Sequence, residues 1–200
     1  IVSLFLCSYF LYSTEQASVR KRVQTLDSLV FSTSQDLSRQ LYIAGYRSIF
    51  IIEQKIVENG AYEQNFTKST HELIINGTLN GQIQSLMQGV TFEDMQNTAN
   101  ENSRKINANI NISVINLSIF QEDPWNVKAI LTIRLIATDI SNVASWDRTE
   151  QITAKIPISS FEDPLYLLNT NGRVTNKFVK TPYANFVSGT NVENLTLQAI

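Results

Sequence analysis

The chain contains one cysteine, one histidine, seven glycines and four prolines in 200 residues. Each shortage excludes something. Cys7 can form no disulfide within the chain and no cysteine metal site. His71 is the sole histidine, so histidine-cluster metal centres are excluded, and a Ser-His-Asp arrangement would have to use this one residue. Its neighbourhood, HELIIN, lacks the second histidine of a zinc-protease helix, and His71 reads as a solvated helix residue. The glycines supply no GxGxxG, no GxxxxGK[ST] and no GxSxG, so phosphate-cradling loops and a nucleophile elbow are absent. Charge is scarce too. Charged residues make up 17% of the chain, against about 25% in typical soluble domains. The net charge of -2 gives no electrostatic case for nucleic acid. No catalytic residue, cofactor site or metal site is assigned, and the expectation is a non-enzymatic protein.

Asn, Ser, Thr and Gln take the place of the missing charge, a composition suited to an exposed, glycosylated surface. Five triplets match the N-glycosylation sequon: Asn65-Phe-Thr, Asn76-Gly-Thr, Asn111-Ile-Ser, Asn116-Leu-Ser and Asn194-Leu-Thr. Asn65, Asn76 and Asn194 fall in expected loops, and Asn111 on the polar side of an expected strand.

The opening run IVSLFLCSYFLY is apolar, whereas a membrane-spanning helix needs about 20 residues. Taken alone it fits a buried helix or the core of a signal sequence. The missing Met, the aromatics Tyr9, Phe10 and Tyr12 at the polar boundary, and the lack of a small-residue cleavage pattern favour the end of a longer anchor or filament-core helix over residues 1–15. Arg20, Lys21 and Arg22 pull the other way, since basic residues favour the cytoplasmic side of a membrane.

Val19, Val23, Leu26, Val30, Thr33, Leu37 and Leu41 then follow a 4-3-4-3-4-4 spacing, a narrow apolar seam on one helix face. No proline precedes Pro124, and Asn59-Gly60 is a C-cap signal, so a stalk helix is expected over residues 16–60. Sixty helical residues would measure about 90 Å, so part of such a helix projects or packs against copies of itself. Two helices broken near Gly45 are the alternative. Residues 61–168 are expected to form an α+β head. THELIIN and QIQSLMQG read as brief amphipathic pieces, and Thr91 as the N-cap of a helix to about Lys105. From Ile106 the period becomes 2, again over Val127–Ala137, and again around Ile152–Ile158. Short links make these an antiparallel meander of about three strands, with one apolar face that the first helix can cover. The turns FQEDPW and FEDPL place Asp before Pro, which initiates turns; neither has the alternating oxygen ligands of a calcium loop. Trp125 and Trp146 flank the second strand and could serve surface recognition, for instance of sugars. Residues 169–200 read as an irregular linker or tail leading toward a further C-terminal domain.

An apolar N-terminal helix continuing as an amphipathic stalk into a small antiparallel sheet resembles type IV pilin-like proteins. DPWNV, SWDR and FEDPLYLLNTNG look most like archaeal surface proteins of that kind, in which lectin-like domains follow the pilin-like part. Phe5 stands where the bacterial pattern has Glu. The resemblance implies a long N-terminal helix packed on a small β-meander, and a cell-surface, membrane-anchored or filament-forming subunit with an adhesive role. Ile1, Leu4, Phe5, Phe10, Val19, Val23, Leu26, Val30 and Leu37 would carry anchoring and assembly. The implied partners are the membrane, other copies of the chain, and surface glycans or surface proteins. The competing expectation is an extracytoplasmic sensor or ligand-binding domain of a membrane receptor, with the seam as a dimer coiled coil.

Overall fold

A computed structural model describes the backbone of residues 2–159, 161–163 and 169–170, with side chains from residue 12 onward in those stretches. Within them the chain is α+β. Helix α1 (Val2–Asn59) is followed by α2 (Phe66–Asn76), a two-stranded ribbon of β1 (Thr78–Leu79) and β2 (Gln82–Ile83), and a 3-10 turn at Ser85–Met87. Helix α3 (Phe92–Lys105) then leads into β3 (Ala108–Asp123), β4 (Asn126–Asp139) and β5 (Ser145–Pro157). The last three form one antiparallel sheet in the order β3-β4-β5, the expected meander.

Helix α1 is continuous through Gly45, so the two-helix alternative is not what forms. Gly45 is buried rather than at a break; a Cβ there would overlap Cδ1 of Ile156. Ala44 and Gly45 are buried on α1, and Ala129 and Ala154 on β4 and β5, while the buried Ser48 turns its hydroxyl toward Met87. The helix ends where the sequence signals it: Gly60 takes a left-handed φ of 64°, and its N–H bonds back to the Ile56 carbonyl. Thr91 caps α3 through a capping box, its Oγ1 accepting from the Asp94 N–H while the Asp94 carboxylate accepts from the Thr91 N–H.

The inward sheet face is aliphatic: Ile110 and Ile112 on β3, Leu131, Ile133 and Leu135 on β4, Ile152 and Ile156 on β5. Helix α1 covers it with Leu26, Val30, Leu37, Leu41, Ile52 and Ile56. Contacts rise in step along both elements. Ser34 meets Glu150, Ser38 Oγ donates to the Thr153 carbonyl, and Gly45 faces Ile156. Hence α1 runs alongside β5 in the same direction.

Two expectations need correction. QIQSLMQG is no helix: Asn80 and Gly81 turn the chain at left-handed φ, which pairs Gln82–Ile83 with Thr78–Leu79 and leaves only a single 3-10 turn. Glu72 clamps that ribbon, accepting from the Gly81 N–H (2.7 Å) and Thr78 Oγ1 (2.8 Å). As expected of the sheet's cover, α1 from Leu26 to Ile56 supplies one wall of the core. Finally, β3 runs well past Ile115. A register shift between Val114 and Asn116 leaves Ile115 exposed and moves the buried set to Leu117 and Ile119.

Gly45→Ala should therefore destabilise by about 1–3 kcal/mol, as overpacking in a filled core does, despite alanine's better helix propensity. Adding Ile156→Val removes Cδ1 and should recover most of the loss relative to Ile156→Val alone, measured by urea unfolding.

Candidate functional site

Two regions stand out at opposite ends of the helix–sheet contact. The first is where α1 leaves the sheet. Every residue from Tyr12 to Lys21 is exposed, Val23 is half-buried, and burial begins at Leu26. At this boundary the Arg22 guanidinium donates to Asp139 Oδ1 at 2.7 Å, tying the helix to the end of β4. Burial pushes the Asp139 carboxyl up. The Arg22 bond, the N–H groups of Ser141 and Val143 and the Arg22 charge outweigh this and hold it below the usual carboxylate range. Slightly further in, Arg148 and Glu150 occupy inward positions opposite Leu135 and Ile133, pair with each other at 2.8 Å, and both contact Ser34. The contact thus grades from ionic at the exit to aliphatic beyond Ile152.

The second region lies at the base, near the start of β4. A cavity of about 300 Å³ is bounded by Ile49, Phe66, Phe120, Val127, Ile158 and Phe161, with Glu53, Gln121 and Glu162 among the lining. Helix α1 places Ile49 and Glu53 one turn apart on the same wall. The opposing wall is fixed by two contacts. Ile158 N–H donates to the Trp125 carbonyl, and Phe161 packs its ring against Tyr46 with centroids 4.9 Å apart. Glu53 Oε1 accepts from the Glu162 N–H. Burial is the main cause that raises the Glu53 carboxyl to about 7; the Glu162 N–H opposes this, and the Glu162 charge adds to it.

The assembly residues divide. Leu26, Val30 and Leu37 are buried against the chain's own sheet, a correction to their expected intermolecular role: the sheet's apolar face needs a cover, and this seam supplies it. From Leu26 on, the same burial removes the seam from any dimer coiled coil. Val19 remains exposed and Val23 half-buried. Ile1, Leu4, Phe5 and Phe10 fall outside the residues whose side chains are described, and no helix among the described residues is long and apolar enough to cross a membrane.

Of the sequon asparagines, Asn65 is exposed as the N-cap of α2, its Oδ1 accepting from the Lys68 N–H. Asn76 is exposed at the last position of α2, and Asn111 is exposed on the outer face of β3. Asn194 lies outside the described residues, as does the tail from residue 171. Trp125 occupies the two-residue β3–β4 turn with its N–H on Asp123 Oδ1, whereas Trp146 pairs across from Ala137 at the far end of β4 and packs on the core. Some eleven strand residues separate them along β4, roughly 35 Å, so they form no shared platform. His71 is exposed on α2. Sequence reasoning missed Glu53. Its only signal was a carboxylate between Ile52 and Ile56 on a helix the sheet must cover, and the second wall could not be foreseen.

No family model, no curated protein and no solved structure matches this chain, so function is read from its own geometry.

The sign of the Glu53 effect is testable. A carboxyl raised from 4.5 to about 7 favours the folded state when protonated, and that advantage is lost as pH rises from the unfolded value through 7. Glu53→Gln should therefore raise the melting temperature at pH 8, with the difference shrinking toward pH 5. A larger gain at pH 5 would contradict the burial described.

Proposed function

We propose that the chain is a pilin-like cell-surface subunit, membrane-anchored or filament-forming, structural and adhesive rather than enzymatic. The observation that carries this reading is the helix that outruns its own domain. Residues 2–25 of α1 would measure about 36 Å at 1.5 Å per residue, and no side chain from Tyr12 to Lys21 is covered. An uncovered single helix is marginal in water, because most helical stability comes from packing an amphipathic face. The apolar stretch from Val2 to Tyr12 forms its first turns. A bundle of copies, or a bilayer for the apolar end, gives the projecting part its partners. Head surfaces bearing Asn65, Asn76 and Asn111 would then face outward, where sugars could be attached and other surface proteins or glycans met.

The rival reading, an extracytoplasmic ligand-binding domain of a receptor, draws on the Glu53 cavity. Negative-stain microscopy of the full chain in detergent and after detergent removal separates the two. Regular filaments or ordered bundles support the pilin-like subunit; discrete monomers or dimers in both conditions support the receptor domain. Deleting Ile1–Tyr12 should abolish assembly and leave a folded head. Val19→Asp should weaken assembly while changing head stability by no more than about 0.5 kcal/mol, as exposed substitutions usually do. Filaments formed by the deleted chain would refute the proposal.

A further inference from the structure

The base cavity has a chemical bias of its own. Its walls are hydrocarbon and aromatic over six side chains, and its charged lining residues, Glu53 and Glu162, are both acidic. Among the described residues, no lysine, arginine or histidine lines it. Its volume of about 300 Å³ falls at the small end of ligand-sized pockets. We propose that this cavity binds a small primary amine as its ammonium ion, with the hydrocarbon tail among Phe66, Phe120 and Ile158 and the cationic head on Glu53.

Charge decides among ligand classes. An anion would meet two acids. A neutral apolar molecule would fill the space but leave the half-buried Glu53 carboxylate without a countercharge. An ammonium ion supplies that partner and three N–H donors. Burial chiefly raises the Glu53 carboxyl, with the Glu162 charge adding to the shift, and a cation at this point opposes that shift through its own charge. Simple aliphatic amines, with ionisation like that of lysine at about 10.4, stay cationic throughout the range in which Glu53 titrates. Glu162 is the other titratable group among the described residues that line the cavity. Binding should therefore strengthen as pH rises through 7 and Glu53 loses its proton. The inference is independent of whether the chain assembles.

Calorimetric titration of the full chain with hexylammonium chloride, and with 1-hexanol as its neutral counterpart, tests the proposal. At pH 8 hexylammonium should bind at least tenfold more tightly than hexanol, and at pH 5 most of that preference should disappear. Glu53→Gln should abolish the preference and leave hexanol binding intact; its amide oxygen can still accept the Glu162 N–H, so the wall is preserved. Phe120→Ser, at an exposed rim position, should weaken both probes. Equal affinity for the two probes at pH 8, binding of neither, or a preference that survives Glu53→Gln would overturn the assignment. If Glu53→Gln fails to fold, the wild-type pH series and Phe120→Ser still decide.

Discussion

The structure depends on one contact: the apolar face of a three-stranded sheet laid against a single helix. Alternation along β3, β4 and β5 leaves one aliphatic side that three strands cannot bury by themselves. Helix α1 spans the sheet's length. At Gly45 the helix lies so close to Ile156 on β5 that a Cβ there would overlap its Cδ1. Helices α2 and α3 complete the core around it through Leu73, Ile74 and Met95.

The two ends of that contact differ for a physical reason. Toward the exit, the inward positions of β5 change from Ile152 to Glu150 and Arg148, and the helix meets them with Ser34 rather than an aliphatic side chain. Dry packing gives way to hydrogen bonds, then to the Arg22–Asp139 pair, then to water. Toward the base, the chain after β5 folds back over α1 through Phe161 and Glu162. Among its described residues, Ile158, Phe161 and Glu162 line the cavity beside Glu53 and none offers it a cation. One end is thus electrostatically satisfied, and the other is not.

Much of this architecture was legible in the sequence wherever a periodicity ran uninterrupted. The seam from Leu26 to Leu41, the Asn59-Gly60 stop, the Thr91 cap and the three alternating runs all signal locally what they form. What hid from view was phase and partnership. The bulge at Ile115 shifts the buried set of β3 by one residue, and nothing in NISVINLSIF marks which residue is skipped. Gly45 reads equally well as a break or as a close approach, and only the position of Ile156 across the interface settles which. The seam was read correctly as a buried surface and assigned two partners, the chain's own sheet and other copies, because a helical pattern says that a face is covered and not by what. Glu53 became visible only when residues more than a hundred positions later in the chain closed around it.

Continuity of α1 has a mechanical consequence. The projecting part and the part locked into the head belong to one rod without a proline or a glycine break at the junction, and the rod runs alongside β5. A pull applied at its free end is directed along the interface, so the interlocked rows of side chains resist together in shear instead of parting one after another. The Arg22–Asp139 pair sits at the mouth of that interface, where a sideways load would begin to peel it open. A chain built this way transmits axial force into its core and yields most readily to bending where the helix leaves the sheet.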